Sequence, residues 1–147
     1  MKTGESRTHR PRNRSGFTLV EMLIVISVIA IMASLVISAF SNAAQDTRRV
    51  VARQQQAAVQ SAVNAWITAQ SSGTGSLAAA KTLYNNAGTS LARLNLVAGY
   101  LEDGTIAHFR TNTTNTDTVL SEALKKTNQH LELPAWSAAS YPKVELK

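Results

Sequence analysis

The chain has 147 residues, a formal net charge of +6 and no cysteine. That length accommodates about one domain, and the lack of cysteine excludes disulfides, cysteine-based zinc sites and thiol catalysis. The charge is uneven: Lys2, Arg7, Arg10, Arg12 and Arg14 against Glu5 give residues 1–16 a surplus of +4, while ten basic and eight acidic side chains leave +2 for the remainder. The basic pI is therefore no argument for nucleic-acid binding by the chain after residue 16.

Residues 1–16 form a basic, polar leader that ends at Gly16. An apolar stretch begins at Phe17, and Glu21 is the one charge inside it. A carboxylate in a membrane span costs roughly 2.5–3.5 kcal/mol on insertion scales, so its presence points to function. Met22–Phe40 reads MLIVISVIAIMASLVISAF, with no charge, no proline and only Ser27, Ser34 and Ser38 polar. Its length at about 1.5 Å per residue approaches the hydrocarbon thickness of a bilayer. Each serine hydroxyl has a local partner in the carbonyl one turn earlier. Ala30, Ala33, Ser34, Ser38 and Ala39 offer small surfaces where neighbouring helices approach closely. The positive-inside rule places the leader in the cytoplasm and the C-terminus across the membrane. Two plainer readings compete. Ser41-Asn42-Ala43 is a small-x-small triplet that a signal peptidase accepts, leaving Ala44 first, but the apolar run exceeds the 7–15 residues of such peptides. The other is an uncleaved single-pass anchor, which leaves Glu21 unexplained.

Residues 41–70 contain no glycine or proline and are rich in Ala, Gln and Arg, all compatible with helix. Val59, Ala62, Val63, Trp66 and Ile67 recur at i, i+3, i+4, i+7 and i+8, one apolar stripe on a 3.6-residue period. The pattern predicts one continuous helix over about 17–70, roughly 80 Å long, with Trp66 as a core anchor. Arg48, Arg49 and Arg53 lie just beyond the apolar run, as a solvated face or as subunit contacts. Ser71-Ser72-Gly73-Thr74-Gly75-Ser76 is a break. Ser76 then caps a predicted helix over Leu77–Asn86 that ends near Gly88, and a short helical piece follows around Ser90–Leu96. Val97–Leu101 and Ile106–Phe109 read as two strands joined by an Asp103-Gly104 turn. Residues 111–118 form a polar loop. Asp117 or Thr118 is placed to cap a helix over Val119–His130, with Lys125 and Lys126 near its C-terminal end. Leu133-Pro134 ends it, and Trp136, Tyr141 and Pro142 mark a tail that either packs on the head or presents a contact surface.

Ser15-Gly16-Phe17-Thr18-Leu19-Val20-Glu21-Met22 closely resembles the processing site of type IV prepilins and type II secretion pseudopilins. The resemblance covers about Ser15–Phe40. It implies cleavage by a prepilin peptidase between Gly16 and Phe17, N-methylation of Phe17, and pairing of Glu21 with the Phe17 amine of a neighbouring subunit in a filament. It also implies an inner-membrane location, a platform protein and an ATPase as assembly partners, and no cofactor. The expected architecture is α+β and pilin-like: leader 1–16, assembly helix 17–40, amphipathic continuation 41–70, and a periplasmic head over 71–147 containing short helices and a β-hairpin. Many type IV pilins close a C-terminal loop with a disulfide, which this chain lacks, and this tilts the expectation to a pseudopilin or a minor pilin-like subunit; a pseudopilin is the leading reading and a minor type IV pilin, for adhesion, motility or DNA uptake, the close alternative. Many also carry a glycine and a proline in the membrane half, where this sequence has Ala30 and Ser38.

No catalytic constellation emerges, so no enzymatic activity is expected. His9 lies in the leader, and His108 and His130 stand apart from nucleophiles and from metal-ligand spacing. Major pseudopilins hold Ca²⁺ in a C-terminal loop. Here Glu102, Asp103, Asn112, Asn115 and Asp117 supply oxygens, but the carboxylates are scattered and no calcium loop is expected. Asn112-Thr113-Thr114 fits a glycosylation triplet by chance. A DNA-binding module using Arg48, Arg49, Arg53, Lys125 and Lys126 is the alternative from a different class.

Overall fold

The computed structural model describes residues 16–74, 76–137 and 140–147. The chain divides into two compact units, Met1–Phe40 and Ser41–Lys147. The leader residues invoked above, His9 among them, lie outside the described residues. The class is α+β: one long N-terminal helix, several short helices and a two-stranded antiparallel sheet.

α1 runs over Leu19–Thr74 without a break. No residue inside it is proline, and the only glycine is Gly73, in its last turn. The helix therefore continues through Ser71 and Ser72, past the expected break. Both hydroxyls turn back onto the preceding turn, to Ile67 O (2.7 Å) and Thr68 O (3.0 Å), and so give the helix no competing partner.

In the second unit the expected stripe is the core. Val59, Ala62, Val63, Trp66 and Ile67 are all buried. They meet α2 (Leu77–Asn86), α3 (Ser90–Leu96), α4 (Asp103–Asn112) and α5 (Glu122–Lys126) through Tyr84, Leu94, Ile106, Phe109 and Leu124. Ser76 caps α2 through Ala78 N–H, and Thr89 caps α3 through Ala92 N–H. Gly88, at φ 76°, closes α2 in the left-handed region that favours glycine. Trp66 and Tyr84 have ring centroids 6.0 Å apart, and Trp136 stands edge-on to Tyr84 at 6.5 Å, so the tail packs on the head. The Arg93 guanidinium lies 5.5 Å over the Tyr84 ring and donates to Leu133 O at 2.8 Å. Burial pushes the Tyr84 phenol up to about 12.

Two further expectations fail. The 97–109 hairpin is absent: Ala98–Tyr100 is a 3₁₀ turn, and the Asp-Gly pair opens α4. Ile106 and Phe109 are both buried. Three residues apart, they share a face only on a helix; on a strand they would point to opposite sides. Asp103 in the first turn also suits the helix dipole. The Val119–His130 helix shrinks to Glu122–Lys126. Its cap is Ser121, neither Asp117 nor Thr118, and Ser121 Oγ accepts from Leu124 N–H at 3.2 Å. Asn128, at φ 55°, ends it, with Gln129 N–H returning to Leu124 O. Val119 instead bridges Leu131, next to the sheet formed by β1 (Leu131–Glu132) and β2 (Glu145–Leu146).

That sheet is only two residues long, and side chains serve further backbone groups of the tail, at Leu133, Trp136, Pro142 and Val144. Gln60 donates to Pro142 O (3.0 Å) and accepts from Val144 N–H (2.7 Å), and Gln56 donates to Val144 O (2.8 Å). Asn85 clasps both backbone groups of Trp136, and Ser90 Oγ accepts from Leu133 N–H. Gln60→Ala strands a donor and an acceptor at the tail. It is expected to cost about 1–3 kcal/mol, read as a lower urea midpoint of the full chain in detergent, with faster amide exchange at Val144.

The sheet end carries an ion cluster. Lys147 Nζ contacts Glu132 Oε2 at 2.6 Å and Glu145 Oε2 at 3.1 Å, and His130 Nε2 lies 3.2 Å from Glu132 Oε1. The Lys147 hydrogen bond holds the Glu132 carboxyl below its ordinary 4.5, and Glu132 with Glu145 raises Lys147 above 10.5. A depressed carboxylate stabilises the fold above its ordinary value and loses that contribution as pH falls through its lowered value. A raised ammonium stabilises below its ordinary value and loses it as pH climbs through the raised one. Protection of the Lys147 amide is therefore expected to hold between those limits and to weaken on both sides. Glu132→Gln should flatten the acid limb.

Candidate functional site

The sequence-predicted site lies at the start of α1. Gly16, Phe17 and Thr18 precede the helix, and Leu19 is its first residue. Glu21 therefore falls in the first turn. Its Oε2 accepts from Thr18 N–H at 2.7 Å, and Thr18 Oγ1 accepts from Glu21 N–H at 3.2 Å. This is a capping box: each side chain satisfies a backbone donor that the helix cannot use. Thr18 is the site residue that the sequence reading passed over, although the Thr-x-x-Glu spacing was its signal. The capping box gives Glu21 a partner within its own chain, a role separate from any contact with a neighbour.

The surroundings are apolar and open. Phe17 is 79% exposed, and Leu19, Val20, Ile24, Ile26 and Ile29 are exposed as well. Every described residue from Gly16 to Phe40 is exposed. Ser27 Oγ donates to Leu23 O and Ser34 Oγ to Ile31 O, both at 2.7 Å, so these hydroxyls are satisfied inside the helix. α1 is long and apolar enough to cross a membrane. A row of exposed Leu, Ile, Val and Met needs either lipid or other apolar helices around it.

The remaining candidate residues do not converge. His108 Nε2 accepts from Glu122 N–H at 3.2 Å, fixing α5 to α4. His130 belongs to the ion cluster at the sheet. Glu102 and Asp103 open α4, Asn112 ends it, and Asp117 N–H donates to Asn115 Oδ1 in the next turn. Among the described residues, no three His, Asp or Glu are grouped to hold a metal ion. Arg49 pairs with Asp46 at 3.6 Å on α1, and Lys126 pairs with Glu122 on α5.

Residues 11–37 match the family model of the prokaryotic N-terminal methylation motif. That motif is the prepilin-type cleavage and methylation signal of type IV pilins and pseudopilins. It spans Gly16, Phe17, Thr18 and Glu21. No curated protein and no solved structure matches the chain. The motif marks a pilin-like precursor in general, with processing by a prepilin peptidase and assembly with pilin-like subunits. With the long apolar helix, it fits inner-membrane anchoring.

Thr18→Ala removes one half of the capping box. Loss of such a cap typically costs about 1 kcal/mol, so amide exchange at Leu19–Glu21 in detergent micelles should accelerate while exchange at Ile29–Ile31 stays unchanged.

Proposed function

We propose that the chain is a pseudopilin of a type II secretion-like machine. The peptidase cuts between Gly16 and Phe17, Phe17 is N-methylated, and the subunit joins a periplasmic filament. Residues 1–16 are the cytoplasmic leader, 17–40 the assembly helix, 41–70 its amphipathic continuation and 71–147 the periplasmic head. The basic leader supports this orientation by the positive-inside rule. The observation that carries the proposal is the motif match at residues 11–37, laid over an apolar helix whose one charge before Asp46 is Glu21.

The chemistry is a charge balance. Cleavage turns the Phe17 amide nitrogen into an ammonium next to an apolar helix. Packing such helices together desolvates both ammonium and carboxylate, and an unpaired charge there costs several kcal/mol. Pairing Glu21 of one subunit with the Phe17 amine of the next removes that cost and sets the register. The partners are then the peptidase with its methyltransferase activity, other pilin-like subunits, a membrane platform and an ATPase. The protein is a substrate and a structural part, and catalyses nothing itself. The cysteine-free sequence suits a secretion pseudopilin, and a minor type IV pilin is the alternative reading.

Glu21→Ala should be cut and methylated at Phe17 like the wild type and fail to enter fibres. Removing one partner of a buried pair costs about 3–5 kcal/mol, on the order of 100-fold or more in a contact equilibrium. Shear-released fibres and N-terminal sequencing read the two steps separately. Normal fibre yield from the variant overturns the pairing. Deleting the gene should deplete secreted proteins and leave surface pili in place; the opposite pattern assigns the chain to a pilus.

A further inference from the structure

The second unit carries exposed charges of opposite sign on opposite flanks of α1. On one side a groove of about 520 Å³ is lined by Val51, Gln54, Ala58, Gly104 and His108, with Glu102 on its wall. Glu102 and Asp103 are exposed, and among the described residues neither forms an ion pair; Asp103 stands next to the groove and does not line it. They stand at the start of α4, where an excess of negative charge is tolerated by the helix dipole. On the other side stand Arg49 and Arg53, both exposed. At about 100° per residue, Arg49 projects about 180° away from Ala58 and Arg53 about 140° away from it. Among the described residues Arg53 has no ion pair, and Arg49 has only the weak, exposed contact to Asp46 at 3.6 Å. The groove residues and the arginines lie within about two and a half turns of each other along α1, roughly 14 Å.

We infer that the Arg49–Arg53 flank of one copy docks against Glu102 and Asp103, at the start of α4, and the groove beside them in a second copy of this chain. The inference rests on the filament reading above and supplies a contact for the head unit. Two complementary patches on different faces make a heterologous contact, and such a contact propagates into a ring or a helical filament instead of closing as a two-fold pair. Charge complementarity of this kind fixes register and excludes wrong neighbours. The aliphatic stems of the arginines would cover Val51 and Ala58, which the head of their own subunit leaves accessible. The offset between the patches is short, so the copies stand side by side with a small axial shift. Asp46 beside Arg49 lowers the attraction of this face for a polyanion and leaves Arg53 as its centre.

The test uses the full chain in cells that assemble it. Arg53→Glu and Asp103→Lys should each lower fibre yield at least about tenfold, because like charges then face each other at a docked interface. Combining them should restore most of the yield. The sequence holds no cysteine, so a second measurement is direct: coexpressed Arg53→Cys and Asp103→Cys chains should form a disulfide-linked dimer on oxidation, and neither variant alone should. N-terminal sequencing of the same samples checks cleavage. Fibres at wild-type level in both reversals, or no rescue in the double variant, overturn the docking while the filament reading stands. A wild-type chain that is never cut and never enters fibres overturns both. Cross-linking of Arg53→Cys with itself indicates a symmetric face and overturns the inference. Salt-sensitive DNA binding that Arg53→Glu abolishes and Asp103→Lys does not restore assigns the basic flank to nucleic acid and overturns it too.

Discussion

One continuous helix meets two different surroundings, and the rest of the structure follows from that constraint. Through Gln45, the described part of α1 carries apolar residues on all sides and no charge besides Glu21. From Val59 to Ile67 the apolar residues Val59, Ala62, Val63, Trp66 and Ile67 fall on one face and are buried, and only the small Ala65 faces solvent. The helix has no internal proline, so nothing between these regimes interrupts its hydrogen bonds. A helix that is apolar all round needs lipid or other helices; a helix with one stripe needs a head. The chain supplies the head and leaves the first half to be covered from outside.

The head is small, and its sheet cannot hold the tail unaided. Glutamine and asparagine side chains take over that task, with Gln56, Gln60 and Asn85 acting as surrogate strand partners for Trp136, Pro142 and Val144. Each bond satisfies a backbone group that would otherwise be buried without a partner. The helix thus organises the head twice, through its apolar stripe and through a polar row beside it. At the other end, Thr18 and Glu21 close the helix on themselves. Glu21 is therefore satisfied in the uncut chain, and the proposed filament contact has to replace that bond rather than find a free carboxylate.

The sequence was legible where periodicity and punctuation agreed. The Val59–Ile67 stripe, the Ser76 cap and the Gly88 stop are local signals, and the structure has all three. It misled where a short motif had two meanings. Asp103-Gly104 serves a hairpin turn or a helix start equally well, and only the joint burial of Ile106 and Phe109 decides for the helix. Ser121 outcompeted Asp117 and Thr118 as a cap because Gln55, 66 residues earlier, accepts its hydroxyl proton. The glutamine clasps were invisible for the same reason: bonds 82 to 88 residues apart leave no pattern in the chain. At the candidate site the sequence pointed to Gly16, Phe17 and Glu21, which the matched motif spans, and the capping-box spacing of Thr18 was passed over.

The central claim is that the chain is a prepilin-type precursor cut at one bond. The most direct measurement is the N-terminal sequence and intact mass of the protein taken from membranes of a host with an active prepilin peptidase. The account predicts a chain that starts at Phe17 and carries one extra methyl group on its amine. A start at Ala44 would make residues 1–43 a secretory signal, and an intact Met1 would leave a plain anchor. Either result contradicts the account.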